Sequence, residues 1–178
     1  MIIEGGTGNG FKAKVDEENK LATRAVVVTE MGHTSADDGD SYSWTASADI
    51  DATDSILWLR NDNPNKKLII ECIHVSSNVA GSWFVYCPEN VTPDGTVVTG
   101  VNMNRQSGNV ALATCHRDNE TAVLANYVFY GHSMAADTKT FSFHGALVLG
   151  YLDCVAVDIT TEPTLAQCTI FGYYHDNE

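Results

Sequence analysis

The segment from Ser55 to Val75 most constrains the fold, because it holds two short apolar runs separated by a polar joint. Ser55–Arg60 reads SILWLR, Lys67–Val75 reads KLIIECIHV, and Pro64 lies in the joint between them. Runs of this length, rich in β-branched and aromatic residues and bounded by Asn, Asp and Pro, predict strands buried on both faces rather than helices. Two strands alone are marginally stable in water, so the rest of the chain must supply more.

Further strand-like runs follow along the chain, roughly ten residues apart and separated by turn residues. Tyr42–Ile50 alternates between aromatic or apolar residues and small polar residues, the period-two pattern of a half-buried strand. No segment keeps a helical period over about eleven residues, and Asp16–Leu21 is the best candidate for a short helix. We therefore predict an all-β fold, an antiparallel β-sandwich of jelly-roll-like type. The other predicted strands are Thr23–Glu30, Ser82–Tyr86, Thr96–Val101, Val110–Cys115, Ala122–Tyr130, Thr140–Leu149, Leu152–Ile159 and Leu165–Tyr173, with polar loops over Met31–Asp40 and Asn102–Asn109.

The first 21 residues differ from the rest, because glycine occupies positions 5, 6, 8 and 10 and a charged segment follows. Glycine-rich termini stay flexible unless something binds them, so this segment either frays or becomes ordered on a neighbouring subunit. We predict an extended N-terminal arm over residues 1–21 and one β-sandwich domain over residues 22–178. The arm residues expected to contact a partner are Ile2, Ile3, Phe11, Lys12, Lys14 and Val15.

The charge of the chain restricts its partners. Its 178 residues suit one domain with a core, and the formal net charge is −13 at pH 7. Such a chain has no basic field to displace the counterions of a phosphate backbone, so we expect no direct nucleic-acid binding and no binding to anionic membranes. The charge favours a basic partner or a salty medium, and a simply solvated acidic surface is the alternative.

Two further features bear on the cellular setting. The N-terminus lacks the basic and apolar regions of a signal peptide, and no run approaches the roughly 20 apolar residues of a membrane-spanning helix. The five cysteines are an odd number at irregular spacing. In a chain made in a reducing cytosol, cysteines in strand-like contexts are expected to be small buried hydrophobic residues.

The sequence Gly131-His132-Ser133-Met134-Ala135 resembles a nucleophile elbow, which places a reactive serine on a tight strand-to-helix turn. Here the second flanking glycine is replaced by Ala135, and no helix is predicted to follow. We therefore place Ser133 in a hairpin loop and expect no enzyme. Paired carboxylates for glycoside cleavage remain open at this point, because the fold rather than the sequence sets their separation.

Metal binding is weakly indicated, and we expect no metal and no cofactor. Cys72 and His74 project from the same strand face, whereas Cys115 and His116 project from opposite faces. No CxxC or HxxxH pair accompanies them. An acidic loop could also chelate calcium, although the EF-hand pattern is missing and solvated charge is the alternative. The carboxylates concerned are Asp37, Asp38, Asp40, Asp49, Asp51 and Asp54.

Exposed aromatic residues would allow a different role, the binding of carbohydrate. Trp44, Trp83 or Tyr151 would stack on sugar faces if their rings were exposed. Trp58 and Trp83 lie inside apolar strands, so we expect those two rings in the core.

Four short motifs, spread over nearly the whole chain, resemble one protein group by their order. They are Phe11–Asp16 (FKAKVD) with Leu21 and Arg24–Val26, then Leu57–Asp62 (LWLRND), then Val101–Asn104 with Ser107–Asn109, and finally Gly172–His175. In this order they resemble a group of small tailed-bacteriophage virion proteins, which is similar to capsid-decorating or otherwise virion-associated β proteins. The chain departs from the group in Phe11, where tyrosine is usual, and in its cysteines. The resemblance supplies no catalytic residue.

The resemblance implies a virion structural protein, assembled in the host cytoplasm and located in the virion. Our leading expectation is a capsid decoration (cement) protein that binds the major capsid protein on the outer surface of the shell as a homotrimer. A flexible arm could add a strand to a neighbour, cyclic symmetry suits a threefold position, and an acidic chain suits the side away from DNA. The alternatives are a tail, neck or fibre component of the virion, or a carbohydrate-binding jelly-roll module.

Overall fold

Two antiparallel sheets packed face to face form an all-β sandwich, as predicted. The computed structural model describes residues 29–49, 54–88, 92, 94–118 and 127–176. The predicted arm over residues 1–21, with its six partner-contacting residues, and the predicted helix at Asp16–Leu21 lie outside this part of the chain. The strands of the described part are β1 Ser41–Ala48, β2 Leu57–Asn61, β3 Lys66–Ser77, β4 Gly81–Tyr86, β5 Thr96–Val97, β6 Val101–Asn102, β7 Ala113–Arg117, β8 Tyr127–Ser133, β9 Thr138–Leu149, β10 Cys154–Ile159 and β11 Ala166–Asp176.

The strand order places β8 and β9 at neighbouring edges of the sandwich. One sheet has the order β6-β1-β11-β3-β9, and the other has the order β5-β7-β2-β10-β4-β8. Strands β1 to β4 alternate between the two sheets, as do strands β8 to β11, which is compatible with the predicted jelly-roll-like arrangement. Across the gap between β8 and β9, the Phe129 ring lies 4.5 Å from the Phe141 ring and 6.2 Å from the Phe143 ring, centroid to centroid.

The two apolar runs that constrain the fold are confirmed as strands, but they lie in opposite sheets. Burial on both faces is confirmed for β2, where Leu57, Trp58 and Leu59 are fully buried. It is wrong for β3, whose residues alternate between buried Leu68 or Ile70 and partly exposed neighbours. The difference lies in the outer faces of the two sheets. One side of β3 is partly exposed on the outer face of the five-stranded sheet, whereas Trp58 of β2 is fully buried on the outer face of the six-stranded sheet.

The polar joint between β2 and β3 is held by the wholly buried Asn61. Its amide nitrogen donates to the carbonyl oxygens of Lys66 at 2.9 Å and Leu149 at 3.0 Å, and its Oδ1 accepts from the backbone N–H of Asn63 at 2.9 Å. A buried asparagine is stable in such a place because its donors and acceptor are used. The joint therefore carries the chain from one sheet to the other without leaving polar groups unmatched.

A short helical segment replaces the predicted loop over Met31–Asp40. Helix α1 spans Glu30–His33 and a wider helical turn continues through Thr34–Asp38. Thr29 caps the start by accepting the Gly32 N–H at 3.1 Å, so the predicted end of a strand at Glu30 is wrong. Two asparagines of the distant loop before β7 donate to backbone carbonyls of this segment, Asn104 to Ser35 and Asn109 to Asp38. The residue pattern within a short segment does not predict hydrogen bonds between residues so far apart in the chain.

The predicted strand Thr96–Val101 is two strands rather than one. β5 pairs with β7 in the six-stranded sheet, whereas β6 pairs with β1 in the other sheet. Gly100 lies where the chain passes the Trp44 indole, and a Cβ built at Gly100 would lie 2.6 Å from the indole nitrogen. The chain therefore leaves the six-stranded sheet after β5 and joins the five-stranded sheet at β6.

Candidate functional site

Four aromatic side chains form a contiguous cluster on the outer face of the six-stranded sheet. We call Phe84, Tyr86, Tyr127 and Tyr130 the aromatic patch. Ring centroids of Phe84 lie 5.7 Å from Tyr86 and 5.1 Å from both Tyr127 and Tyr130, and Tyr86 meets Tyr127 edge-on at 6.3 Å. Tyr127 and Tyr130 are 57% and 52% exposed, so the patch faces solvent rather than the core.

Strand alternation explains why the aromatic patch forms. In β4 (GSWFVY), Trp83 and Val85 point into the core, so Phe84 and Tyr86 point outward. In β8, Tyr130 lies directly opposite Phe84. A bulge between Val85 and Tyr86 shifts the register and brings Tyr127 opposite Tyr86. Facing side chains on paired strands are close enough to pack, and the four rings therefore make one surface.

The strand that carries half of the aromatic patch is also the edge of its sheet. Among the described strands, β8 is the terminal member of the six-stranded sheet. Four successive residues of β8, Tyr127–Tyr130, are exposed although all are aromatic or apolar. Their sequence, YVFY, contains no charge and no proline, the residues with which proteins usually protect an exposed edge. An unprotected edge of this kind is a template for pairing with another strand.

Polar groups border the aromatic patch at one end. The Ser82 hydroxyl lies 3.3 Å from the Tyr130 hydroxyl and 3.4 Å from Nδ1 of His132. Ser82 and His132 are opposite each other in the β4–β8 pair, one step along the face from Phe84 and Tyr130. The patch is thus an apolar surface with hydrogen-bonding groups at its rim.

A buried carboxylate lies at the inner end of the patch. Asp158 of β10 is opposite Phe84 and is 8% exposed. The pKa of Asp158 is raised to about 6, chiefly by burial. The backbone N–H of Ile159, which donates to Asp158 at 2.7 Å, opposes this rise, and the nearby Asp54 carboxylate contributes to it. Burial, with smaller contributions from Asp158 and Tyr127, also raises the pKa of Tyr86. Asp158 therefore places negative potential beside the patch, on the same face of the sheet.

Comparison with protein-family models, with curated proteins and with solved structures finds no match. In the described ranges, no helix is long and apolar enough to cross a membrane. Evidence for a function therefore comes from the chemistry of the chain's own surface.

Ser133, the candidate nucleophile of the sequence, lies at the end of β8 and not in the predicted hairpin loop. It is 1% exposed, and its hydroxyl accepts a hydrogen bond from Nε1 of Trp83 at 2.8 Å. The loop begins one residue later, at Met134. The difference arises because β4 extends far enough for Gly81 to pair with Ser133. The hydroxyl serves to satisfy a buried indole N–H.

The predicted metal candidates are placed as follows. Cys72 and His74 share one face of β3, as predicted, with Sγ 3.8 Å from Nε2. No group of three or more His, Cys, Asp or Glu side chains within the described residues could hold a metal ion. Asp40 forms an ion pair with Lys66 at 2.8 Å, and Asp37 lies 3.1 Å from His33. Asp51 lies outside the described residues. Asp54, in the segment before β2, lies near Asp158 of the six-stranded sheet.

All five cysteines are free thiols. The prediction of buried thiols is confirmed for Cys115, Cys154 and Cys168, whereas Cys72 and Cys87 are partly exposed. Burial raises the pKa of the Cys115 and Cys168 thiols well above the usual value.

The sequence did not identify the aromatic residues that matter. Trp44, Trp58 and Trp83 are all fully buried, which confirms the expected core position of Trp58 and Trp83 and excludes Trp44 and Trp83 as exposed stacking platforms. Tyr151 is exposed in the turn between β9 and β10. The signal for the aromatic patch was present as YVFY, an uncharged aromatic run in a predicted strand. Recognising it required knowing that this strand is an edge.

Proposed function

We propose that this chain is a structural protein of a tailed-bacteriophage virion, a capsid decoration (cement) protein that binds the major capsid protein on the outer surface of the shell as a homotrimer. The observation that carries the proposal is the unprotected aromatic edge of β8. A chain of net charge −13 that nevertheless exposes four successive aromatic or apolar residues on a sheet edge has a surface suited to a protein partner.

The mode of attachment follows from the edge. An extended segment of a partner can add a strand to an open sheet edge, with main-chain hydrogen bonds giving affinity and alternate side chains giving specificity. Beside β8 the partner would meet the aromatic patch, since paired strands share their faces. Rings of this kind dominate the energetics of protein interfaces.

Three further features support a position on the outside of a shell. The acidic charge disfavours contact with packaged DNA. The alternation of strands between the sheets is of the kind found in jelly rolls, which occur in viral capsid proteins and lectins, and this support is an analogy of fold. The order of short motifs resembles that of virion proteins. The homotrimer is proposed because closed cyclic symmetry fits a threefold position.

The test is to band particles from a lysate in which the chain is produced and to count its copies by quantitative mass spectrometry. We expect a copy number close to that of the major capsid subunit. Particles without the chain should fail at a lower temperature, and adding the purified protein should restore their survival. Absence from the particles would contradict the proposal, and a few copies per particle would point to a tail, neck or fibre component instead.

A second candidate is a carbohydrate-binding module, because the aromatic patch is bordered by the hydrogen-bonding groups of Ser82 and His132. Aromatic faces stack on sugar rings, and such rim groups bind hydroxyls. A glycan array probed with the isolated protein separates the two functions. Binding to a defined glycan that Tyr130→Ser abolishes would favour this candidate.

A further inference from the structure

We propose that the aromatic patch receives a lysine or arginine side chain from a protein segment that adds an extended strand to β8. The inference rests on the proposed function and deepens it, because it names the chemistry that the partner presents at this surface.

The rings themselves favour a cation. Phe84, Tyr86, Tyr127 and Tyr130 present a surface of neighbouring π-systems, with centroid separations between 5.1 and 6.3 Å for their four ring contacts. A cation over such faces is attracted by the ring quadrupoles, most strongly where water is excluded. Strand addition at β8 would exclude water from Tyr127 and Tyr130, which are now exposed.

The buried carboxylate supplies the second, independent argument. Asp158 lies opposite Phe84, and in the described part of the chain no lysine, arginine or histidine forms an ion pair with it. Arg60, on the neighbouring strand β2, forms an ion pair with Asp62 at 2.6 Å. A buried charge without a counter-ion is costly, and a cation brought to the patch would relieve that cost.

Among the charged groups near Asp158, the Asp54 carboxylate, from the segment before β2, adds to the negative potential. Tyr86 lies diagonally across the β10–β4 pair, opposite Ala156. Asp158 of β10, Phe84 of β4 and Tyr130 of β8 lie side by side across the sheet. His132 lies two residues beyond Tyr130 on the same face.

The spacing between strands allows a basic side chain on an added strand to reach the rings of the aromatic patch. Neighbouring strands are about 4.8 Å apart, so a residue on an added strand would stand beside Tyr130 and its side chain would extend over Tyr130 toward Phe84. Asp158 lies one strand beyond Phe84. A lysine or arginine is long enough to put its charge over the rings, with the carboxylate acting through the apolar interior of the patch.

The charge also argues against a second copy that pairs through its own β8. Such a copy would bring a net charge of −13 and a β8 strand, YVFYGHS, that contains neither lysine nor arginine. It would add a second buried carboxylate without adding a permanent cation. Charge complementarity therefore selects a basic partner segment.

The experiment compares two peptides that differ only in charge. The full-length chain, labelled with ¹⁵N, is titrated by NMR with acetyl-Thr-Val-Thr-Arg-Thr-Val-Thr-amide and with the same peptide carrying citrulline in place of arginine. We expect the arginine peptide to shift the amides of β8, Phe84 and Asp158 and to bind about tenfold more tightly than the citrulline peptide. Asp158→Asn should remove most of that difference, Tyr130→Ser should weaken both peptides, and Tyr151→Ser, an exposed tyrosine elsewhere, should change neither.

Equal affinities for the two peptides, or shifts confined to other surfaces, would overturn the inference. So would self-association of the free chain that Tyr130→Ser reverses, because a second copy would then occupy β8, or shifts at the patch with an oligosaccharide and none with either peptide. Failure here is distinct from failure of the proposed function. The particle count does not depend on the peptides, and the peptide titration requires no particle.

Discussion

Asp158 lies directly opposite Phe84 in the β10–β4 strand pair, so a buried carboxylate and an aromatic ring share one face of the sheet. The pair joins the two properties that make this surface suited to binding. Phe84 belongs to a cluster of rings that extends to β8, the terminal strand of the six-stranded sheet among the described strands, and Asp158 places charge beside it. Neither residue would indicate a site by itself.

The stability of the protein should depend on pH through Asp158. The pKa of Asp158 is raised from 3.8 to about 6 in the folded state. As pH rises through this range, the unfolded chain loses a proton that the folded chain retains, so the free energy of unfolding falls. Asp158→Asn should therefore raise the free energy of unfolding at pH 7 by up to about 3 kcal/mol and by well under about 1 kcal/mol at pH 4. Urea denaturation at both pH values measures the difference.

Asp137 provides the matched control for that experiment. Its carboxylate is exposed, and the hydrogen bond from Lys139 lowers its pKa. Asp137→Asn should therefore give no gain in stability at pH 7. A gain at pH 7 from Asp137→Asn similar to that from Asp158→Asn would mean that general charge repulsion, not burial, causes the effect.

Ser133 should be a structural residue. Removing its hydroxyl in Ser133→Ala leaves the buried Nε1–H of Trp83 without its acceptor, at a cost of about 1–3 kcal/mol in the free energy of unfolding. Ser82→Ala, on the outer face of the same sheet, should cost less than about 1 kcal/mol. Chemical denaturation measures both, and labelling of Ser133 by a fluorophosphonate would contradict the structural role.

Asn61 should be among the most sensitive polar residues. Asn61→Ala removes hydrogen bonds to the carbonyls of Lys66 and Leu149 and to the N–H of Asn63, and leaves these groups in the interior. We expect a loss of about 2–4 kcal/mol. Asn78→Ala, which removes exposed hydrogen bonds to the Thr164 hydroxyl and from the Leu165 N–H, is the control and should cost less than about 1 kcal/mol. Similar losses for both variants in urea denaturation would mean that burial does not govern the cost.

A charge placed on the edge of β8 should prevent attachment and preserve the fold. Val128 is exposed, so Val128→Lys should leave the thermal midpoint nearly unchanged while reducing the rebinding of the protein to particles that lack it. Val128→Thr keeps the β-branched shape without charge and is the control. Full rebinding of the lysine variant would exclude this edge as the attachment surface.

The five thiols should separate into two classes of reactivity. Cys72 and Cys87 are partly exposed and should react with a thiol reagent in the native protein. Cys115, Cys154 and Cys168 are buried and should react only when the protein unfolds. Mass spectrometry of the labelled protein before and after denaturation identifies the sites, and fast labelling of Cys168 in the native state would contradict its burial.

The sequence predicted those features that depend on a few neighbouring residues. The alternation of Tyr42–Ile50 marked β1, and the run around Trp58 marked a strand buried on both faces, because side-chain period and local hydrophobicity are properties of the segment itself. The same reasoning missed helix α1 and the division of Thr96–Val101. Both depend on distant partners, such as Asn104, which donates to Ser35.

By itself, the sequence determined an acidic chain of alternating strands that folds as a β-sandwich. Only the tertiary structure decided that β8 is the terminal strand of its sheet among the described strands, that Tyr130 and Asp158 flank Phe84 on either side, and that Ser133 lies buried against Trp83. The physical reason is that strand order and register are set by pairing between segments far apart in the chain. A one-residue change of register would turn Phe84 toward the other face, and no local pattern specifies that choice.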